Sequence, residues 1–174
     1  MRAYNRIELE KVARETGFIR DNLEKVIRLS NILEFLVSDD NLKGKVVLKG
    51  GTAINLTVFD MPRLSVDIDL DYCCNSDKDT MMADRAVIGQ EILGHMQSNG
   101  YTLHPSSKNT HALDSWVFSY LNAGGNKDNI KIEINYMMRT HILEPRTRKT
   151  SIPFIDEVDV YALSPLELFG SKIK

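Results

Sequence analysis

The sequence has little cysteine, no long apolar run and almost no excess of charge, and each shortage closes off a class of protein. Its two cysteines, Cys73 and Cys74, are adjacent, a spacing that suits neither a zinc knuckle nor an easy disulfide. His95, His104, His111 and His141 share no ligand spacing with them, so both are expected to be reduced residues at the end of a strand. No run approaches the roughly 18 apolar residues of a membrane span, and MRAYNRIELEKVARE at the N-terminus has no apolar signal core. The expectation is a cytoplasmic protein with no membrane partner. Lysine and arginine number 22 against 24 acidic residues, a formal charge of −2. This near balance argues against sheathing a long nucleic acid and confines any RNA contact to a local patch. The glycines form neither a Walker loop, for want of GK[ST], nor G-x-G-x-x-G. No internal repeat, linker or low-complexity segment interrupts the chain.

What is present is enough apolar residue, 43% of 174, to bury one sizeable core. One domain over 1–174 is expected, with a helical lobe in 1–44 and a sheet core in 45–136. The chain is organised around 46–72, VVLKGGTAINLTVFDMPRLSVDIDLDY. Val46, Val47 and Leu48 suit a short buried strand. Gly50 and Gly51 permit a sharp turn into a helix from Thr52, and the backbone N–H groups of such a turn are a natural seat for phosphate. The helix runs on Ala53, Ile54, Leu56 and Phe59 until Asp60, Met61 and Pro62 end it. In the strand that follows, a period of two sets Asp67, Asp69 and Asp71 on one face and Ile68, Leu70 and Tyr72 on the other. Like charges gathered on one face repel unless a cation lies between them, and hard oxygen ligands suit Mg²⁺ or Mn²⁺. A calcium loop does not fit, because Tyr72 would stand where its glycine belongs and Lys78 where its last glutamate belongs. A metal-binding DxD of the glycosyltransferase kind remains open, as does an edge strand with a solvated acidic face.

The run Gly50-Gly51-Thr52, then Arg63, Ser65 and Asp67-Ile68-Asp69-Leu70 resembles the DNA polymerase β-type nucleotidyltransferases. Within them it is most similar to the AbiEii/AbiGii abortive-infection toxins, whose signature reads GGT, a short helix, then RxSxDIDL. The resemblance implies an α/β (α+β) nucleotidyltransferase fold, a short mixed sheet flanked by helices. It also implies transfer of a nucleoside monophosphate from an NTP to an acceptor, with Mg²⁺ or Mn²⁺ held by Asp67 and Asp69. Gly50, Gly51, Thr52, Arg63 and Ser65 would then contact nucleotide. The acceptor so implied is RNA, tRNA in particular, and the partner an antitoxin protein. A small-molecule nucleotidyltransferase of the aminoglycoside-modifying sort and an inactive nucleotide-binding regulator stay open.

Apolar periodicity over 6–38 predicts two helices punctuated by Gly17. A further helix is expected over 80–98, packing through Met82, Ala86, Ile88, Ile92, Leu93 and Met96 and closed by Asn99-Gly100. Strands are expected at 101–103 and 116–121, with a glycine turn at 124–126. The strand 129–136 alternates, with Ile130, Ile132, Ile134 and Tyr136 on one face and Lys131, Glu133 and Asn135 on the other. If it lies beside the Asp67 strand, Glu133 is the third carboxylate of the polymerase β-like metal set; Asp71 is the other candidate. The basic segment 138–150 reads as an RNA patch or a solvated loop. Ser164, Pro165 and Glu167 start a helix with a capping box. That helix carries Lys172, the residue matching the family's triphosphate-binding lysine. A later acidic motif of the family has no counterpart before Lys174, which predicts a truncated C-terminal helix in 164–174 and weak catalysis.

Overall fold

A computed structural model describes residues 6–58, 67–150 and 156–170. Helices α1 (Arg6–Thr16) and α2 (Arg20–Ser38) come first, separated at Gly17 in a left-handed conformation (φ 73°). Then follow β1 (Val46–Lys49), α3 (Gly50–Thr57), β2 (Ile68–Tyr72) and α4 (Lys78–Ser98). Short strands β3 (Thr102–Leu103) and β4 (Lys108–Asn109) precede a long hairpin, β5 (Leu113–Leu121) and β6 (Lys127–Asn135). The described chain closes with β7 (Arg146–Lys149), β8 (Asp159–Ala162) and α5 (Pro165–Gly170).

The strands form one mixed sheet in the order β3-β5-β6-β2-β1-β8-β7, with β4 also paired to β5. At its centre β1 runs antiparallel to β2, and β2 runs parallel to β6. The period of two then does its work, because Ile68, Leu70, Tyr72, Ile130, Ile132 and Ile134 all point to one side and are buried. Against that side pack α2, through Val26, Leu29, Ile32, Leu33 and Leu36, and α4, through Met81, Ile88, Ile92 and Met96, in one continuous core. Each such side chain removed from water contributes roughly 1.5–3 kcal/mol. A satellite cluster of Leu9, Leu23 and Ile27 fastens α1 to α2. Asp77 caps α4 by accepting from Thr80 N at 2.8 Å. Among the described residues no helix is long and apolar enough to cross a membrane.

The structure corrects the sequence reading at several elements. Helix α3 starts at Gly50, not Thr52, and ends at Thr57; Phe59 to Pro62 lie outside the described residues. On α4 it is Met81 that is buried, while Met82 is 47% exposed. Strand β7 occupies part of the basic segment read as an RNA patch or a solvated loop, and β8 is not among the strands expected from the sequence. Strand β8 pairs parallel to β1, with Leu48 opposite Ala162, and antiparallel to β7. The capping box at α5 is half formed, since Ser164 Oγ accepts from Glu167 N at 3.3 Å. The Glu167 carboxylate turns away and accepts from the backbone of Ile142 at 3.0 Å and of Leu143 at 3.4 Å.

Candidate functional site

Strand β1 delivers the chain to Lys49, and the turn into α3 begins at once with Gly50 at φ +74°. That conformation favours glycine, and there is a second constraint. A Cβ on Gly50 would lie 2.3 Å from Asp69 Oδ2 and 3.1 Å from Asp69 Cγ. The bare backbone at Gly50 and the carboxylate of Asp69 therefore occupy one tight corner, and Gly51 beside it is exposed.

The register explains how acids gather there. Asp69 lies opposite Lys49 on β1 and level with Glu133 on β6, and residues level in neighbouring strands share a face. Ser115 on β5 is in turn level with Glu133. Burial, then the like charges of Glu133 and Asp67, push the Asp69 carboxyl above its usual range, against the opposing pull of Lys49 and Lys131. Burial would raise Glu133 too, yet hydrogen bonds from Lys131 and Ser115 outweigh it and hold that carboxyl below its usual range. Lys131 Nζ stands 2.8 Å from Glu133 Oε1.

Asp71 behaves differently. It is 3% exposed, forms an ion pair with Lys49 and accepts from Asn135 Nδ2 at 3.0 Å. Buried, and with its Oδ1 engaged by both an ammonium and an amide, Asp71 is not the carboxylate that completes a cation site. Thr52, expected to add a hydroxyl to a phosphate seat, is fully buried and donates its Oγ1 proton to the carbonyl of Asp67. Its work is to tie the start of β2 to α3, which positions Asp67. Arg63, Ser65 and Lys172 lie outside the described residues. Lys49, Lys131, Asn135 and Ser115 were not singled out from the sequence, although the alternation of 129–136 already placed Lys131 and Asn135 on the face of Glu133.

Among the described residues no three Asp, Glu, His or Cys side chains converge as they would around a metal ion; Glu133 faces Lys131 instead. The donor chemistry nevertheless fits a hard divalent cation. Asp67, Asp69 and Glu133 offer only carboxylate oxygens, and the mutual repulsion that raises Asp69 is the repulsion such a cation relieves. The thiols fit no such role. Burial first, then the neighbouring Cys74, pushes Cys73 up to about 12, and its Sγ lies 3.2 Å from the Gly44 carbonyl.

Comparison with solved structures finds the same fold in two proteins of Helicobacter pylori. One is JHP933, at TM-score 0.58 and 19% identity over 87% of this chain. The other is described as a candidate nucleotidyltransferase, at TM-score 0.59 and 20% identity over 89% of this chain. The chain spans 55% and 59% of their respective lengths. No curated protein matches it. A family model described as nucleotidyl transferase AbiEii toxin, type IV TA system, matches residues 32–174, which include the glycine turn and all three carboxylates, and the chain belongs to that AbiEii nucleotidyltransferase family.

Proposed function

We propose that this chain transfers a nucleoside monophosphate from an NTP to an acceptor, releasing pyrophosphate, at the face shared by Asp67, Asp69 and Glu133. The observation that carries the reading is the parallel register that sets Glu133 level with Asp69, one strand away from the glycine turn. Asp67, Asp69 and Glu133 would hold Mg²⁺ or Mn²⁺, which when bound neutralises triphosphate charge and clamps the attacking and leaving oxygens. The Gly50–Gly51 turn receives phosphate oxygens on backbone N–H groups at the start of α3. Arg63, Ser65 and Lys172 complete the grip on the nucleotide. Glu133 takes the proton of the attacking hydroxyl; Asp71, engaged with Lys49, does not.

The acceptor is RNA, tRNA foremost, and the protein acts in the cytoplasm as the toxin of a toxin–antitoxin pair. The test is incubation with α-labelled NTPs, Mg²⁺ and total RNA, with an aminoglycoside panel in parallel. Label on RNA, abolished by EDTA and by Asp69→Asn, is the expected result. Label on the aminoglycosides alone would replace the acceptor, and NTP binding without any transfer would make the chain a nucleotide-binding regulator.

A further inference from the structure

Two lysines reach the acidic face, and they are held in different ways. Lys49 gives its ammonium to a buried partner, Asp71, whose side chain is 5% exposed. Withdrawing it would strand a carboxylate out of water, a change that costs several kcal/mol, so Lys49 is fixed. Lys131 pairs with Glu133 where both side chains keep solvent contact, 38% and 27% exposed. Exposed pairs of this kind contribute only about 0–1 kcal/mol, and exchanging the partner is cheap. Lys131 also feels more than one acid. Its hydrogen bond to Glu133 comes first, and after the opposing effect of burial the charges of Glu133, Asp67 and Asp69 all favour its ammonium form. Continuing the β2–β6 register by one residue sets Lys131 beside Asp67.

The charges make the arrangement a competition. Three carboxylates at the face are partly balanced by one exchangeable ammonium. A divalent cation drawing on Glu133 competes with Lys131 for the charge of that carboxylate, and once it is there the ammonium is surplus. A triphosphate then brings new anionic oxygens to the same corner. We propose that Lys131 is the exchangeable counter-ion of this site: it holds Glu133 while no divalent cation is bound, gives it up when one enters, and turns to the polyphosphate of the incoming nucleotide. It is a positioning residue, and the inference rests on the metal-dependent nucleotidyl-transfer reading above.

Removing the charge should therefore have opposite effects on two ligands, which loss of a merely structural ion pair would not produce. Lys131→Met, which keeps most of the stem, should bind Mn²⁺ more tightly in the absence of nucleotide, by a factor on the order of three to ten, the effect of losing one like charge at a half-exposed site. It should bind a non-hydrolysable NTP analogue in the presence of Mn²⁺ more weakly by a similar factor. Free Mn²⁺ is read by electron paramagnetic resonance and the analogue by calorimetry, and neither reading requires turnover. Lys131→Arg should keep both affinities near those of the wild type. Unchanged or weaker Mn²⁺ binding by Lys131→Met, with an unaltered circular dichroism spectrum and melting curve, would overturn the assignment of Lys131 while leaving the metal site standing. Wild-type protein that binds no Mn²⁺ at millimolar concentration would overturn the metal reading and this inference with it.

Discussion

Asp69 and Asp71 are two residues apart on one strand and point the same way, yet the fold uses them in opposite senses. Asp71 is buried, paired with Lys49 and further held by Asn135. Asp69 is half-buried, is crowded by Asp67 and Glu133, and sits against the bare backbone of Gly50. The first carboxylate is satisfied and the second is not. Alternation therefore identifies which acids share a face, while burial and the cross-strand partner decide which is structural and which is left with charge for a ligand to satisfy. The lysines repeat the division, Lys49 fixed on the satisfied acid and Lys131 on the open side.

Breaking the satisfied pair should have the largest effect on stability. Lys49→Met leaves Asp71 buried without its ammonium and should destabilise the fold by roughly 3–5 kcal/mol, read as a shift of the urea midpoint. Gly50→Ala acts at the unsatisfied end. The left-handed conformation costs a residue with a Cβ about 1–2 kcal/mol, and the Cβ would displace the Asp69 carboxylate. Nucleotide affinity should fall more steeply than stability. Asp69→Asn should do what no change at Asp71 can, raising stability while removing the proposed function. The relief should appear as a Tm above that of the wild type. The pH dependence fixes the sign. Because the folded state holds the Asp69 proton more tightly than the unfolded state, the penalty of its charge grows as pH rises from the ordinary value of 3.8 through the raised one. The gain from Asp69→Asn should therefore be complete near neutral pH and vanish below about pH 4, which melts of the two proteins across that range would show.

A smaller effect lies outside the site. His95 stacks on Phe35 with ring centroids 3.7 Å apart, and burial holds its pKa below the ordinary 6.5. A histidine kept neutral in the fold stabilises it above the unfolded value and loses that contribution as pH falls through the folded one. Wild-type Tm should decline below about pH 6.5 more than that of His95→Phe.

The division between the two acids also explains what could be read from the sequence. The glycine turn, the DxD strand and the alternation of 129–136 are local patterns, and a period of two fixes their faces before any partner is known. That β6 lies beside β2, in the register that levels Glu133 with Asp69, is a tertiary fact, legible only through the family resemblance. The fate of Asp71 depends on Lys49, which lies opposite Asp69 and reaches diagonally past it. Alternation sets Lys131 on the face of Glu133, but its pairing with that carboxylate is a fact of the folded structure. Strand β7 reads RTRK, with no apolar alternation, and is a strand because β8 pairs with it. The alternation of Val158, Val160 and Ala162 was the signal that could have revealed β8.

If the open end of β2, and not its satisfied end, holds the cation and through it the nucleotide, NTP binding should depend on Asp67 and Asp69. Calorimetric titration of NTP, with and without Mg²⁺, into the wild type and into Asp67→Asn combined with Asp69→Asn tests it most directly. Mg²⁺-dependent binding by the wild type and none by the double variant is the expected result, with the double variant keeping the circular dichroism spectrum and melting curve of a folded protein. A folded double variant that binds NTP with undiminished, Mg²⁺-dependent affinity would contradict it.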